Sequence, residues 1–275
     1  MVMEYKKILG KVKVPVLGLG TWAMGGGFSK DTSHDEEEIR AIQYALDLGM
    51  RHIDTAELYG NGHAEELVGK AIKGWRREEI FITTKVWSDH LRFNQLIEAA
   101  KRSLGRLGTD YIDLYLIHWP NPQVPLQESM EAMDYLIDKK LIRFIGVSNF
   151  DLHILKKAQK YTEHPIAANQ VEYHLLNRKI ERDLLPCCQH NGILLTAYKP
   201  LARGRLVGGE FPILNRLAKK YGKTPAQIAL NWLISKKSVI AIPKSSSKKH
   251  LEENIGAVGW SMEEKDVKIL EEAFP

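Results

Sequence analysis

The feature that most constrains this chain is an alternation that runs from one end to the other. Eight short apolar runs, at residues 16–20, 51–54, 80–85, 111–118, 143–147, 167–171, 193–198 and 239–242, are rich in Val, Ile, Leu and Tyr. Runs of this kind suit strands buried on both faces, as in parallel sheets. Amphipathic stretches lie between them. DEEEIRAIQYALDL at 35–48 sets Ile39, Ile42, Ala45 and Leu46 on one face, opens with an acidic turn that suits the helix dipole and meets Gly49 as a stop. Residues 92–107 repeat the plan, with Leu96, Ala99, Ala100, Ser103, Leu104 and Leu107 inward. Thr224-Pro225 places an N-cap and a first-turn proline before Ala226, Ile228, Ala229 and Trp232.

Eight strand–helix units within 275 residues predict an α/β fold, a closed (β/α)8 TIM barrel over residues 1–275 as one domain. No G-x-G-x-x-G follows the first strand, which speaks against an open dinucleotide-binding sheet, and Gly25-Gly26-Gly27 reads only as a loop. The leading ILGKVKV predicts a β-hairpin turning at Leu9-Gly10, ahead of the barrel and able to cap its bottom. The stretch LARGRLVGG at 201–209 follows the seventh strand and is the most mobile-looking segment.

Composition narrows the function. The net charge is +5, but Lys and Arg are interleaved with Asp and Glu, so no nucleic-acid surface is expected. Cys187 and Cys188 are adjacent and form no disulfide framework. With no signal-peptide pattern and no apolar run of membrane length, a cytoplasmic location is expected. The ten histidines show no metal-ligand spacing, and no metal is expected.

Barrel chemistry sits at the C-terminal ends of strands. Those ends carry Asp54, Lys85 and His118, and Tyr59 follows Asp54 in the next loop. Each has a plain alternative: a helix cap, a strand-end charge, a core histidine, a packed aromatic. Together they are complementary. A lysine cation lowers the pKa of a neighbouring phenol, a carboxylate holds the lysine, and a histidine orients a carbonyl. The set suits delivery of a proton to a carbonyl oxygen.

The segments DTAELYG at 54–60, TKVW at 84–87 and IHWP at 117–120 resemble the catalytic segments of the aldo-keto reductase superfamily. GVSNF at 146–150, Asn169-Gln170, Ala197-Tyr198 and IPKS at 242–245 resemble its cofactor segments, in order from about Gly18 to Asn254. The resemblance implies reversible NADP- or NAD-dependent reduction of aldehydes and ketones, with Tyr59 as general acid, Lys85 and Asp54 tuning it, and His118 orienting the carbonyl. It also implies that Ser148, Asn149 and Gln170 bind the nicotinamide carboxamide, that Tyr198 stacks on the ring, and that Thr21 and Asp54 touch its ribose. Leu201 would lie by the pyrophosphate, Lys244, Ser245 and Ser246 by the adenosine ribose, and Glu253 and Asn254 by the adenine.

Three departures matter. NADP-selective members carry an arginine where this chain has His250, so weaker selection of NADP, and use of NAD, is expected. Lys199 stands where a small residue is commoner and is expected to point to solvent. The chain runs only from Asn254 to Pro275 beyond the last motif, which predicts a wide substrate pocket walled by Trp22, Trp87 and Trp119. The partner would be a small carbonyl or alcohol, and the protein a monomer. Two other readings stay open: an aldolase forming a Schiff base on Lys85, and a nicotinamide-binding subunit that senses redox state without turnover.

Overall fold

A computed structural model describes residues 3–274. Two antiparallel strands, β1 (Tyr5–Ile8) and β2 (Val12–Pro15), form the leading hairpin. Leu9 and Gly10 both take positive φ at its turn, as expected for a type I′ connection. Eight parallel strands follow: β3 (Leu19–Gly20), β4 (His52–Asp54), β5 (Phe81–Val86), β6 (Ile112–Ile117), β7 (Ile142–Ser148), β8 (Ile166–Glu172), β9 (Leu194–Tyr198) and β10 (Val239–Ala241). They pair in chain order from β3 to β10. Parallel bridges Leu17–Ala241 and Gly20–Lys244 join the last strand to the first and close the barrel.

The helices are α1 (Asp35–Asp47), α2 (His63–Ala71), α3 (Phe93–Leu107), α4 (Leu126–Asp138), α5 (Leu152–Gln159), α6 (Leu184–His190), α7 (Pro212–Tyr221), α8 (Pro225–Ser235), α9 (Lys248–Ile255) and α10 (Glu264–Ala273). Thr224 caps α8 through a reciprocal box with Gln227. In α3, the six positions expected to face inward are all buried.

The two-residue period of a strand sorts side chains between the helix layer and the barrel interior. Near the bottom, Phe81, Leu114, Leu194 and Ile240 fill the interior, and Ile8 and Val14 of the hairpin pack against them as a plug. Lys6 fastens that plug, donating to the carbonyls of Ile234 (2.7 Å), Lys236 and Val239 (2.6 Å). At the other end the inward side chains turn polar: Asp54, Lys85, His118, Ser148 and Gln170.

Candidate active site

The C-terminal ends of the strands surround a cavity of about 640 Å³. Asp54 ends β4 and Lys85 lies near the end of β5, both with side chains shut off from solvent. The Lys85 ammonium has three acceptors: Asp54 Oδ1 at 2.6 Å, the Thr55 carbonyl at 2.8 Å and the Tyr59 hydroxyl at 3.2 Å. Asp54 Oδ2 accepts in turn from Gln170 Nε2 at 2.7 Å. A chain therefore runs from an amide through a carboxylate and an ammonium to a phenol, and Tyr59 and Asp54 line the cavity.

Tyr59 owes its place to an unusual turn. Gly60, Asn61 and Gly62 have φ of 56°, 54° and 90°, three left-handed residues in succession. At Gly60 a Cβ would stand 2.2 Å from the Gly25 carbonyl oxygen, so only glycine fits. The turn tips the phenol back toward Lys85, whose ammonium lies 4.9 Å from the ring centre.

The phenol departs from the sequence expectation in one respect. Lys85 does pull its pKa down, but burial is the larger effect and holds it above the usual tyrosine value. Tyr59 is thus a protonated, neutral donor. For Lys85, burial favours the neutral amine, yet Asp54, together with Tyr59, carries the pKa above its ordinary value. His118 is pushed down to about 2, mainly by burial and further by the Lys85 charge. Its ring is a neutral imidazole, 5.7 Å from the Tyr59 ring and 5.4 Å from Trp87 between centroids, and its buried Nδ1 has no hydrogen-bond partner.

Beside this group lies a polar shelf. Asn149, at φ 61°, donates to the His118 carbonyl and to Ser148 Oγ, each at 3.0 Å, and accepts from the Tyr198 hydroxyl at 2.8 Å. Ser148 donates to the Gln170 carbonyl at 2.9 Å. Ser148, Asn149, Gln170 and Tyr198 all line the cavity, as do Leu201, Lys244, His250, Glu253 and Asn254 at its far end. Amide and hydroxyl groups next to a flat aromatic face fit a ring that bears a carboxamide, and the Lys244 ammonium at the other end fits a phosphate-bearing nucleoside.

Three expected contacts lie outside the cavity lining. Thr21 is fully buried, its hydroxyl bound to the Asp54 carbonyl at 3.0 Å. Ser245 spends its hydroxyl on the Ser247 backbone, and Ser246 sits beside Lys244. Lys199 is partly exposed, as expected, but also lines the cavity, where Glu172, at the end of the neighbouring strand, pairs with it at 2.6 Å.

Trp22, Trp87 and Trp119 are all in the wall. Trp22 packs edge-on against Tyr59 at 5.0 Å, and Glu57 fixes Trp87 by accepting its backbone N–H at 2.7 Å. Sequence reasoning missed Phe28, Leu58, Arg203 and Val207, which also line the cavity. Phe28 is 71% exposed and stacks edge-on with Trp22 at 5.3 Å. Its signal was an aromatic placed directly after three glycines. Within the segment 201–209, Ala202–Val207 forms 3-10 turns broken by a kink at Arg203 and Gly204, both at positive φ, and is anchored by buried Ala202 and Leu206.

Comparisons with known proteins agree with this arrangement. The sequence profile of the Aldo/keto reductase family matches residues 16–274. Methylglyoxal reductase YeaE of Escherichia coli (strain K12) is 38% identical over 270 residues, covering 97% of this chain and 93% of the relative. Glyoxal reductase of Bacillus subtilis (strain 168) is 36% identical, covering 95% and 89%. Among solved structures, the thermostable aldo-keto reductase Tm1743 in complex with the inhibitor epalrestat superposes with a TM-score of 0.96 at 47% identity, covering 98% of this chain and 100% of that one. An aldo/keto reductase from Klebsiella pneumoniae in complex with NADP and acetate gives 0.90 at 39% identity, covering 100% and 96%. With a fold, a rim of polar groups and a near full-length profile in agreement, this chain belongs to the aldo/keto reductase family.

Proposed function

We propose that the chain interconverts small aldehydes or ketones and their alcohols with NADP or NAD, using Tyr59 as the proton donor. The observation that carries this reading is the Lys85 ammonium, 2.6 Å from Asp54 and 3.2 Å from the Tyr59 hydroxyl, directly behind the cavity wall. Burial keeps the phenol protonated until a substrate oxygen takes the proton. Lys85 then faces the new phenolate, a charge present only late in the reaction, which is where electrostatic stabilisation lowers a barrier. Asp54 and Gln170 hold that cation in place. His118, neutral through any ordinary pH, donates one hydrogen bond to the carbonyl without competing for its proton.

When bound, the nicotinamide supplies or accepts the hydride. Ser148, Asn149 and Gln170 would hold its carboxamide, Tyr198 its face, and Lys244, His250, Glu253 and Asn254 the adenosine end. Thr21, Ser245 and Ser246 would need rearrangement or backbone contacts to share in this. The names of the relatives make short α-dicarbonyls the first substrates to try. Closure of the barrel by residues 16–20 against 241–244 supports a chain working as one domain; a monomer acting in the cytoplasm on small molecules, not nucleic acid, is part of the same proposal. Among the described residues no helix is long and apolar enough to cross a membrane, and no group of side chains is arranged to hold a metal ion.

An aldolase role is disfavoured by the same geometry, because a lysine paired with a carboxylate and raised in pKa is a poor amine nucleophile. The test is Tyr59→Phe. Carbonyl reduction, followed by loss of reduced-nicotinamide absorbance, should fall by roughly 10²–10⁴, the usual worth of a general acid. Cofactor affinity, followed by fluorescence titration, should stay near that of the parent. Normal turnover in this variant would remove Tyr59 from the mechanism.

A further inference from the structure

The mechanism leaves one buried titratable side chain unused. His63 is the first residue of α2, is only 2% exposed, and lies four residues beyond Tyr59. Its Nε2 is 2.7 Å from Asp35 Oδ1, at the start of α1, and its Nδ1 is 2.6 Å from Glu66 Oε2, on α2. Both ring nitrogens lie within hydrogen-bond distance of carboxylate oxygens, so the ring bridges two carboxylates on different helices. Lys30 pairs with the same Glu66 oxygen at 2.9 Å, and Lys70 stands 3.8 Å from Asp35.

This cluster sits where two functional segments meet. One is the left-handed turn that aims Tyr59. The other is the loop between β3 and α1, which carries the pocket walls Trp22 and Phe28 and the triple glycine that sequence reading left without a role. The segments touch closely: Gly60 N–H donates to the Gly27 carbonyl at 2.7 Å, and a Cβ on Gly25 would be 2.8 Å from His63 Cδ2. Gly25 N–H is held at 2.6 Å by the buried Glu38 of α1, and Asp31 N–H by the Gly25 carbonyl at 2.9 Å. Gly25, at φ 68°, lets the loop backbone lie against the imidazole, and Gly26, at φ 102°, lets the loop fold back onto its own Ser29 and Asp31.

We infer that His63 is a positioning residue: bridging Asp35 and Glu66, it clamps the pocket-wall loop onto the Tyr59 turn and so sets both the aim of the acid and the width of the pocket. The catalytic half of this inference rests on the function proposed for Tyr59. The clamp itself rests only on geometry. Without the bridge the polar ties between the segments reduce to the Gly60–Gly27 backbone hydrogen bond and the exposed pairs Lys30–Glu66 and Lys70–Asp35, beside the packing of Trp22 on Tyr59, and exposed pairs hold little.

The test is His63→Gln, whose side chain has no second ring nitrogen to bridge both carboxylates, examined by amide hydrogen exchange on the protein alone and by steady-state kinetics. The amides of Gly25, Asp31 and Gly60 should exchange roughly ten- to hundredfold faster, the effect of losing one charge-assisted hydrogen bond, while β6–β8 stay as protected as before. The kcat should fall by about tenfold or more, because small displacements of a reacting group are costly. KM should change more for a bulky aromatic aldehyde than for a short dicarbonyl. Asp35→Asn, which weakens one half of the bridge, should give the same pattern more mildly and serves if His63→Gln does not fold. Unchanged exchange at the three amides, or acceleration spread evenly over the barrel, would overturn the clamp. A parent protein with no carbonyl reduction would instead refute the proposed function, and the exchange comparison would still decide the clamp.

Discussion

Asp54→Asn isolates the electrostatics at the centre of the site. The Lys85 ammonium has no exposure to solvent and is 2.6 Å from its carboxylate partner. An asparagine presents one oxygen where the aspartate presented two. Either Lys85 or Gln170 must then face an amide N–H instead of an acceptor. Removing one member of a buried ion pair costs about 3–5 kcal/mol, because the other charge stays behind uncompensated. Thr55 and Tyr59 still accept from Lys85, which places the loss near the lower end, about 3 kcal/mol. For a domain of this size that is roughly 6–12 °C in Tm. Lys85→Met should cost a similar amount by stranding Asp54. In the double variant Asp54→Asn/Lys85→Met both charges are gone, and the loss should resemble either single change rather than their sum, a coupling of about 3 kcal/mol. Urea unfolding of the four proteins at neutral pH measures the cycle. Single losses that add to within about 0.5 kcal/mol would show that the two groups do not depend on each other, and the reasoning would fail.

Two further outcomes follow from the same geometry. His52 and His118 are held at about 3 and about 2, chiefly by burial, against about 6.5 in an unfolded chain. As pH falls below about 6.5 the unfolded chain binds protons that the folded one refuses, so stability should drop by about 1.4 kcal/mol per pH unit for each histidine. Urea midpoints between neutral and mildly acid pH should show this slope, and His52→Gln should flatten it; an equal slope in both proteins contradicts the assignment. His250→Arg should raise the ratio of kcat/KM for NADPH over NADH by roughly ten- to hundredfold, since a guanidinium adds charge-assisted hydrogen bonds to a phosphate. A constant ratio would place His250 away from that phosphate.

The eight strands were legible because burial on both faces leaves a continuous apolar run, and each predicted run overlaps a strand. The first is cut to Leu19–Gly20 because its start serves barrel closure through single bridges, a pairing between ends of the chain that no local pattern encodes. Asp54, Lys85 and His118 were legible as polar residues ending apolar runs. The environment of Lys199 was not, since its partner Glu172 belongs to a different strand end. The net direction of the Tyr59 shift was hidden for a related reason: the lysine is visible in the sequence, whereas the extent of burial is a property of the assembled rim. Phe28 and the role of His63 depend on how a loop without periodicity folds onto a turn, and only the bunching of glycines hinted at it.

The fastening of the hairpin has a consequence for how the protein is made. Lys6 binds carbonyls of residues 234, 236 and 239, and Glu4 receives the Gly259 N–H at 2.7 Å. A ribosome releases the first of these partners long before the last. The earliest segment therefore waits, its Ile8 and Val14 without their berth, until nearly all of the remaining polypeptide has emerged. Contacts of such long range slow folding and leave sticky surface uncovered meanwhile. Truncation from the C-terminal side should strand the nascent N-terminal segment, and chaperone dependence should concentrate there rather than at the catalytic rim.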